Sequence, residues 1–173
     1  RWEKAIKPFV QQIMVIDGLA DRKHDCDLLL DQNYYRKDRY HDLLPQGCKK
    51  LLGPQYALLK TNYFEERKRT HIRKGKILKI LLSLGGVDLV NETSKALDAI
   101  LLLNREDIEV DIVLGANSPH KNKIQKKISS FPQMTCHVQI DYMAKLMREA
   151  DLAIGSIGTA TWERCCLGLP TLA

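Results

Sequence analysis

From Lys76 to the end of the chain, short apolar runs alternate with amphipathic stretches, and this alternation restricts the fold more than any other feature. Residues 77–84, 109–114, 135–140 and 151–155 read as strands, and 91–103, 118–130, 142–148 and 159–167 as helices. Unbroken apolar runs of this length suit strands covered on both faces. Strand and helix in strict succession predict a parallel sheet with right-handed crossovers. Ligands in such sheets gather beyond the carboxyl ends of the strands.

Three loops at those ends carry suggestive residues. Ser83-Leu-Gly-Gly-Val-Asp88 holds Gly85 and Gly86, a pair that fits either a tight turn or a close backbone approach to a diphosphate. Ile140-Asp-Tyr-Met143 enters a helix that Asp141 is expected to cap. Ser156-Ile-Gly-Thr-Ala-Thr161 joins a strand to a helix starting at Thr159. Ser156, Gly158, Thr159 and Thr161 would offer amides and hydroxyls to a phosphate. Glu163, one turn in, is either an exposed acid favoured by the helix N-terminus or a ligand for ribose hydroxyls. Trp162 is expected to be a packing residue.

The first part is less regular. Residues 12–17 and 26–31 read as buried parallel strands, and Lys50 begins a short strand that turns at Gly53-Pro54 before a charged helix around 65–69. Trp2, Ile6, Phe9 and Val10 mark an N-terminal helix. The boundary falls near 69–75. Both ends look cut, since Arg1 opens into a helix and Ala173 stops within a strand.

Charge follows the same division. Residues 1–76 hold 17 Lys and Arg against 10 Asp and Glu, whereas 77–173 hold 10 against 11, so the net +6 resides in the first part. The basic run 67–76 is open to two readings, a nucleic-acid patch or a solvated helix end with a linker; no aromatic residues interleave it. No window nears eighteen uninterrupted apolar residues and no signal peptide opens the chain, which reads as a cytoplasmic protein with no membrane partner.

The five cysteines form no CxxC pair, and an odd number argues against a disulfide framework, so they read as buried thiols. Among His24, His41, His71, His120 and His137, none sits at a triad-like position that sequence can support. His24, in a polar loop beside Asp25 and Asp27, reads as a surface or turn histidine. No His, Asp or Glu cluster has metal-ligand spacing, so neither a metal nor a cofactor is expected.

Several longer strings carry a resemblance. Val15-Ile-Asp-Gly-Leu-Ala-Asp-Arg22, the run from His24 to Asn33, Leu52-Gly-Pro-Gln-Tyr-Ala-Leu-Leu59, Leu84-Gly-Gly-Val-Asp88, Met143-Ala-Lys-Leu-Met147 and the stretch from Ala150 to Pro170 resemble the UDP-2,4-diacetamido-2,4,6-trideoxy-β-L-altropyranose hydrolases of pseudaminic acid biosynthesis. That family is similar in fold to the glycosyltransferase B group, in particular the MurG-like N-acetylglucosaminyltransferase of peptidoglycan synthesis. The resemblance implies two Rossmann-like domains: 1–70 as the end of the N-terminal, sugar-side domain and 71–173 as most of the UDP-binding domain. It implies metal-free hydrolysis of a UDP-sugar by water at the anomeric carbon, with flagellin glycosylation as context. A MurG-like glycosyltransferase using a UDP-sugar is the alternative.

By the same resemblance Gly85, Gly86, Ser156, Gly158, Thr159 and Thr161 would hold the diphosphate, Ile140 the uracil and Glu163 the ribose. Asn33, Tyr56 and Lys60 would line the sugar side. Lys60 stands in place of an arginine and loses its bidentate fork. Gly18 stands where a second acid usually follows Asp17, Lys23 where proline is common, and Ile157 where glycine is frequent, which would tighten the phosphate loop. The family's glycine-rich loop with its water-activating histidine would precede Arg1, so no catalytic residue is assigned. This stretch alone is expected to bind nucleotide weakly and to turn over no substrate.

Overall fold

A computed structural model of the chain describes residues 2–35, 38–70, 72–73 and 75–173, and separates two compact units, Arg1–Leu59 and Lys60–Ala173. The first unit is a parallel three-stranded sheet of β1 (Met14–Ile16), β2 (Leu28–Asp31) and β3 (Lys49–Leu52), in the order β1-β2-β3. Ile13, Val15, Cys26, Leu29 and Tyr40 make its core. Its N-terminal helix α1 (Trp2–Ile6) inverts the apolar pattern read from sequence: Trp2 and Phe9 are exposed, and Glu3 is the buried residue.

Glu3 is buried because it meets His24. The imidazole Nδ1 lies 2.8 Å from Glu3 Oε1, with Asp17 3.4 Å from Nε2 and no exposure of the ring. The expected surface histidine is therefore an interior residue held between two carboxylates. His71, by contrast, lies outside the described residues. Cys26 and Cys48, far apart in sequence, place their sulfurs 3.7 Å apart. Burial, and then the hydrogen bond shared with Cys48, pushes the Cys26 thiol up to about 12, which keeps it an unreactive packing group.

Asp17, at the carboxyl end of β1, organises the rim of this sheet. Its carboxylate accepts from the Leu19 and Ala20 amides at 3.1 and 3.0 Å and from the Tyr40 hydroxyl at 3.1 Å. Partial burial raises its pKa, but these donors outweigh burial and hold it at about 2. A carboxylate lowered in the folded state stabilises above its unfolded pKa of about 4, and the benefit disappears as pH falls through the folded value. Acidification from about pH 4 to about pH 2 should therefore cost the first unit about 2 kcal/mol. Urea unfolding at the two pH values checks this, and Asp17→Asn should show a smaller acid loss.

The second unit opens with α2 (Thr61–Lys68) and continues as β4 (Lys79–Ser83), α3 (Glu92–Leu102), β5 (Glu109–Leu114), α4 (Lys121–Ile128), β6 (Met134–Val138), α5 (Met143–Glu149), β7 (Leu152–Gly155), α6 (Ala160–Cys166) and β8 (Thr171–Leu172). All strands pair in parallel, in the order β6-β5-β4-β7-β8. Ile80, Leu82, Val110, Ile112 and Leu114 pack on one face with Leu97, Ile100, Ile124 and Ile128 of α3 and α4. Leu81, on the alternate face, is buried on the side where α5 lies against β4. No helix among the described residues is long and apolar enough to cross a membrane.

The division between units falls before α2, whereas the sequence put it at 70/71. Helix α2 packs against α5 and α6. Arg148 pairs with Glu66 at 2.5 Å, and Arg67 donates to the Cys166 carbonyl. The start of the basic run is the solvated helix end expected from sequence, with Arg67, Lys68 and Arg69 exposed at the end of α2, whereas Arg73 turns back into the unit. Lys68 pairs with Glu65, Arg69 with Glu66 and Lys76 with Asp107. Arg73 donates to five backbone carbonyls, those of Met147, Arg148, Ala150, Leu167 and Gly168, at 2.7–3.1 Å. Its guanidinium thus caps the C-terminal ends of both α5 and α6. Lys74 lies outside the described residues.

Candidate functional site

The strand order β6-β5-β4-β7-β8 reverses direction at β4. From β4 the chain runs outward through β5 and β6, then returns to place β7 on the other side of β4. Loops leaving β4 and β7 consequently diverge to opposite faces of the sheet, and the crevice between them is the topological switch point. These are the loops that carry Gly85-Gly86 and residues 156–161.

The loops meet closely. A Cβ built on Gly85 would lie 3.9 Å from Ser156 Oγ, and Gly85 itself sits at φ +97°, a conformation that side chains strongly disfavour. On the opposite side, a Cβ on Gly115 at the end of β5 would fall 2.0 Å from the Gly86 carbonyl oxygen. Gly115 is therefore a glycine because the Gly85-Gly86 backbone rests on it. Gly86 is different. Its Cβ would meet nothing within 4 Å, so the fold of this unit gives no steric reason for glycine there.

Asp88 closes this loop. Its carboxylate accepts the Glu92 and Thr93 amides, each at 2.9 Å, which occupies the N-terminus of α3. Burial raises the Asp88 pKa, but the bonds from Thr93 and Glu92 outweigh it and lower the value overall. The β7 loop is built otherwise: Thr159 is the N-cap of α6 with no side-chain cap bond. Thr161 turns its Oγ1 inward to accept the Gly158 amide at 3.2 Å. Ser156, Ile157, Gly158 and Thr159 are exposed. Ile157 projects into solvent at 83 % exposure and does not tighten the loop.

Two supporting residues in α2 and α6 escaped sequence reasoning. Tyr63 of α2 is buried, and burial together with the Glu163 carboxylate beside its hydroxyl raises its pKa. Half-buried Glu163 is thus partnered from α2 rather than standing as a free surface acid. Arg164 is 4 % exposed beneath the loop, and its Nη2 donates to the Ser156 carbonyl at 2.9 Å.

Ile140 lies on the same sheet edge. Gln139, at φ +51°, donates its amide to the Leu114 carbonyl and accepts the Ala116 amide on Oε1, tying the β6 loop to the β5 loop. The next helix is not capped by Asp141: its N-cap is Tyr142, with no side-chain cap bond. Tyr142 is fixed instead by a polar chain that the sequence did not reveal. Asp111 Oδ1 accepts from His137 Nε2 at 2.8 Å, and His137 Nδ1 accepts the Tyr142 hydroxyl at 3.0 Å. Lys79 completes it from β4, 3.2 Å from Asp111.

In the first unit, Asn33 follows β2 and donates Nδ2 to Asp31 Oδ1 at 3.0 Å. Gly18 lies beside it, and a Cβ there would come within 2.7 Å of Asn33 Nδ2, so a side chain at 18 would turn the Asn33 amide aside. Asp31 is itself buried and bonded to Arg39 and Tyr40 at 3.0 Å. Tyr56 ends a single 3-10 turn, Pro54–Tyr56, and remains partly exposed. Lys60 is the exposed N-cap of α2, in the second unit.

No protein-family model matches the chain. It is 34% identical over 125 residues to an uncharacterized protein of Methanocaldococcus jannaschii, covering 69% of this chain and 26% of that protein. It is 32% identical over 123 residues to the spore coat polysaccharide biosynthesis protein SpsG of Bacillus subtilis, covering 69% of this chain and 35% of SpsG. It is 27% identical over 147 residues to the UDP-2,4-diacetamido-2,4,6-trideoxy-beta-L-altropyranose hydrolase of Campylobacter jejuni, covering 84% of this chain and 51% of the hydrolase. The chain therefore spans about a quarter to a half of the length of these relatives. Among solved structures it resembles MurG of Acinetobacter baumannii, with a TM-score of 0.54 and 16% identity over 98% of this chain and 47% of that one. The chain is a distant homologue of the Campylobacter UDP-sugar hydrolase and has the parallel α/β fold of the glycosyltransferase B enzymes.

Proposed function

We propose that residues 60–173 bind the UDP half of a UDP-sugar, and that the whole protein hydrolyses it to UDP and the free sugar. The substrate class follows the homologous hydrolase, UDP-2,4-diacetamido-2,4,6-trideoxy-β-L-altropyranose. The observation that carries the reading is Gly86. It sits at the switch-point crevice with an open space where a side chain would be, beside a glycine fixed by φ and another fixed by packing. A diphosphate lying against the Gly86 backbone supplies the missing reason.

In this reading the diphosphate spans the Gly85 and Gly86 amides and the loop of Ser156, Gly158, Thr159 and Thr161. Uracil lies against the Ile140 backbone, and Glu163 accepts ribose hydroxyls. Water forms a bond to the anomeric carbon as the bond from that carbon to the β-phosphate oxygen breaks. The electron pair leaves on UDP, and the proton lost by water passes to solvent or to a base. Amides directed at the departing oxygen would lower the barrier without reorganisation.

Glu163→Ala should weaken UDP binding by about 1–3 kcal/mol, the cost of leaving ribose hydroxyls unpaired. An NMR titration of the chain with UDP measures it, and unchanged affinity would remove Glu163 from the site. Activity separates hydrolase from transferase. The whole protein should release UDP and free sugar with water alone, followed by NMR. Strict dependence on an added sugar acceptor would replace hydrolysis with group transfer.

A further inference from the structure

The most unusual charge in the second unit is Arg164. Its side chain is buried on α6, at a helical spacing from Ala160 and Leu167 that points it inward. Its Nη2 bonds the Ser156 carbonyl at 2.9 Å and approaches Thr161 Oγ1 at 3.4 Å. Nη1 fills the space behind Gly155, where a Cβ would come within 2.7 Å. Nε has no hydrogen-bond partner, and the adjacent Glu163 acts on Arg164 only through space, with no hydrogen bond between them among the described residues. A buried cation whose hydrogen bonds all go to neutral oxygens is a cost to the empty protein, and burial accordingly lowers its pKa despite the attraction of Glu163.

We infer that Arg164 is a positioning residue whose buried positive charge is balanced by the diphosphate of the bound nucleotide, through the 155–161 loop that its guanidinium holds. This rests on the UDP reading above and adds to it a residue that does not touch the ligand. The same guanidinium does two things. It fixes the Ser156 carbonyl, and so the direction in which the following amides point. It also places a positive potential, little screened by water, behind those amides. An anion on the outer side of the loop completes the charge balance, whereas uncharged uridine does not.

The sign of the stability effect distinguishes this role from a merely structural one. A buried charge without its counter-ion carries an uncompensated desolvation cost, which an apolar side chain of similar volume removes. Arg164→Met should therefore melt at the same temperature as the parent or higher without ligand. It should bind UDP at least tenfold more weakly, with uridine binding unchanged, in NMR titrations of the chain. Arg164→Lys keeps the charge without the fork and should fall between the two. A lower melting temperature for ligand-free Arg164→Met with undiminished UDP affinity would overturn the inference, as would equal losses for UDP and uridine. If the parent chain binds uridine but shows no preference for UDP, the inference falls while the nucleoside pocket stands. If it binds neither, the UDP reading itself fails.

Discussion

Arg73→Ala should destabilise the second unit by about 3–4 kcal/mol, among the larger effects a single substitution produces. The guanidinium reaches five carbonyls at the ends of two helices, and these are the acceptors that a helix leaves without partners of its own. A hydrogen bond to a charged group contributes about 1.5–3 kcal/mol, but five bonds from one side chain do not add independently. The helix dipoles add to the attraction, since both C-terminal ends face the same cation. Arg73 is only partly buried, and burial lowers its pKa, so some of this gain is offset by lost hydration. Arg73→Lys should recover less than half, because an ammonium group has three donors and cannot span the two helix ends as a planar fork does. Chemical denaturation of the chain, with the linker and α2 read by hydrogen exchange, measures both variants. A loss below 1 kcal/mol for Arg73→Ala would show that other contacts hold α5 and α6 in place.

Much of the second unit was legible because its signals are periodic. The strands read at 77–84 and 109–114 and the helix read at 118–130 each repeat an apolar pattern, and became β4, β5 and α4 within a few residues. The switch-point loops were legible for the same reason, since glycines and hydroxyls at strand ends are local features. What remained hidden depends on single side chains bonding across long stretches of chain. Arg73 reaches carbonyls more than seventy residues away, and nothing in the basic run distinguishes it from Arg69. His24 looked solvated among its acidic neighbours because Glu3, which buries it, sits on a helix whose apolar residues pointed to a different face. Asp141 looked like a cap, but the Asp111–His137–Tyr142 chain fixes Tyr142 in that place. Arg164 did leave a trace: a charge spaced to share a helix face with Leu167 is a charge destined for the interior.

Gly115→Ala and Gly86→Ala should behave in opposite ways, and the contrast separates what the glycines do for the fold from what they do for a ligand. A methyl group on Gly115 would come within 2.0 Å of the Gly86 oxygen, a backbone atom that cannot swing aside as a side chain could. The Gly85-Gly86 loop must move, and the close-packed strand ends beneath it limit how far it can relax. Overpacking of this kind costs about 1–3 kcal/mol, and contact with backbone puts Gly115→Ala near about 3 kcal/mol. Because the displaced loop is the one assigned to the diphosphate, UDP affinity should fall with stability. Gly86→Ala meets open space and keeps an ordinary backbone conformation, so the melting temperature should stay within a degree or two, as for a small exposed change. Its methyl group would occupy the space given to the diphosphate, and UDP binding should drop by about tenfold or more, a loss of about 1.4 kcal/mol or greater. Melting curves and UDP titrations of the two variants side by side provide four readouts. Gly86→Ala binding UDP as well as the parent would mean that the open space above that backbone is not where the phosphates lie.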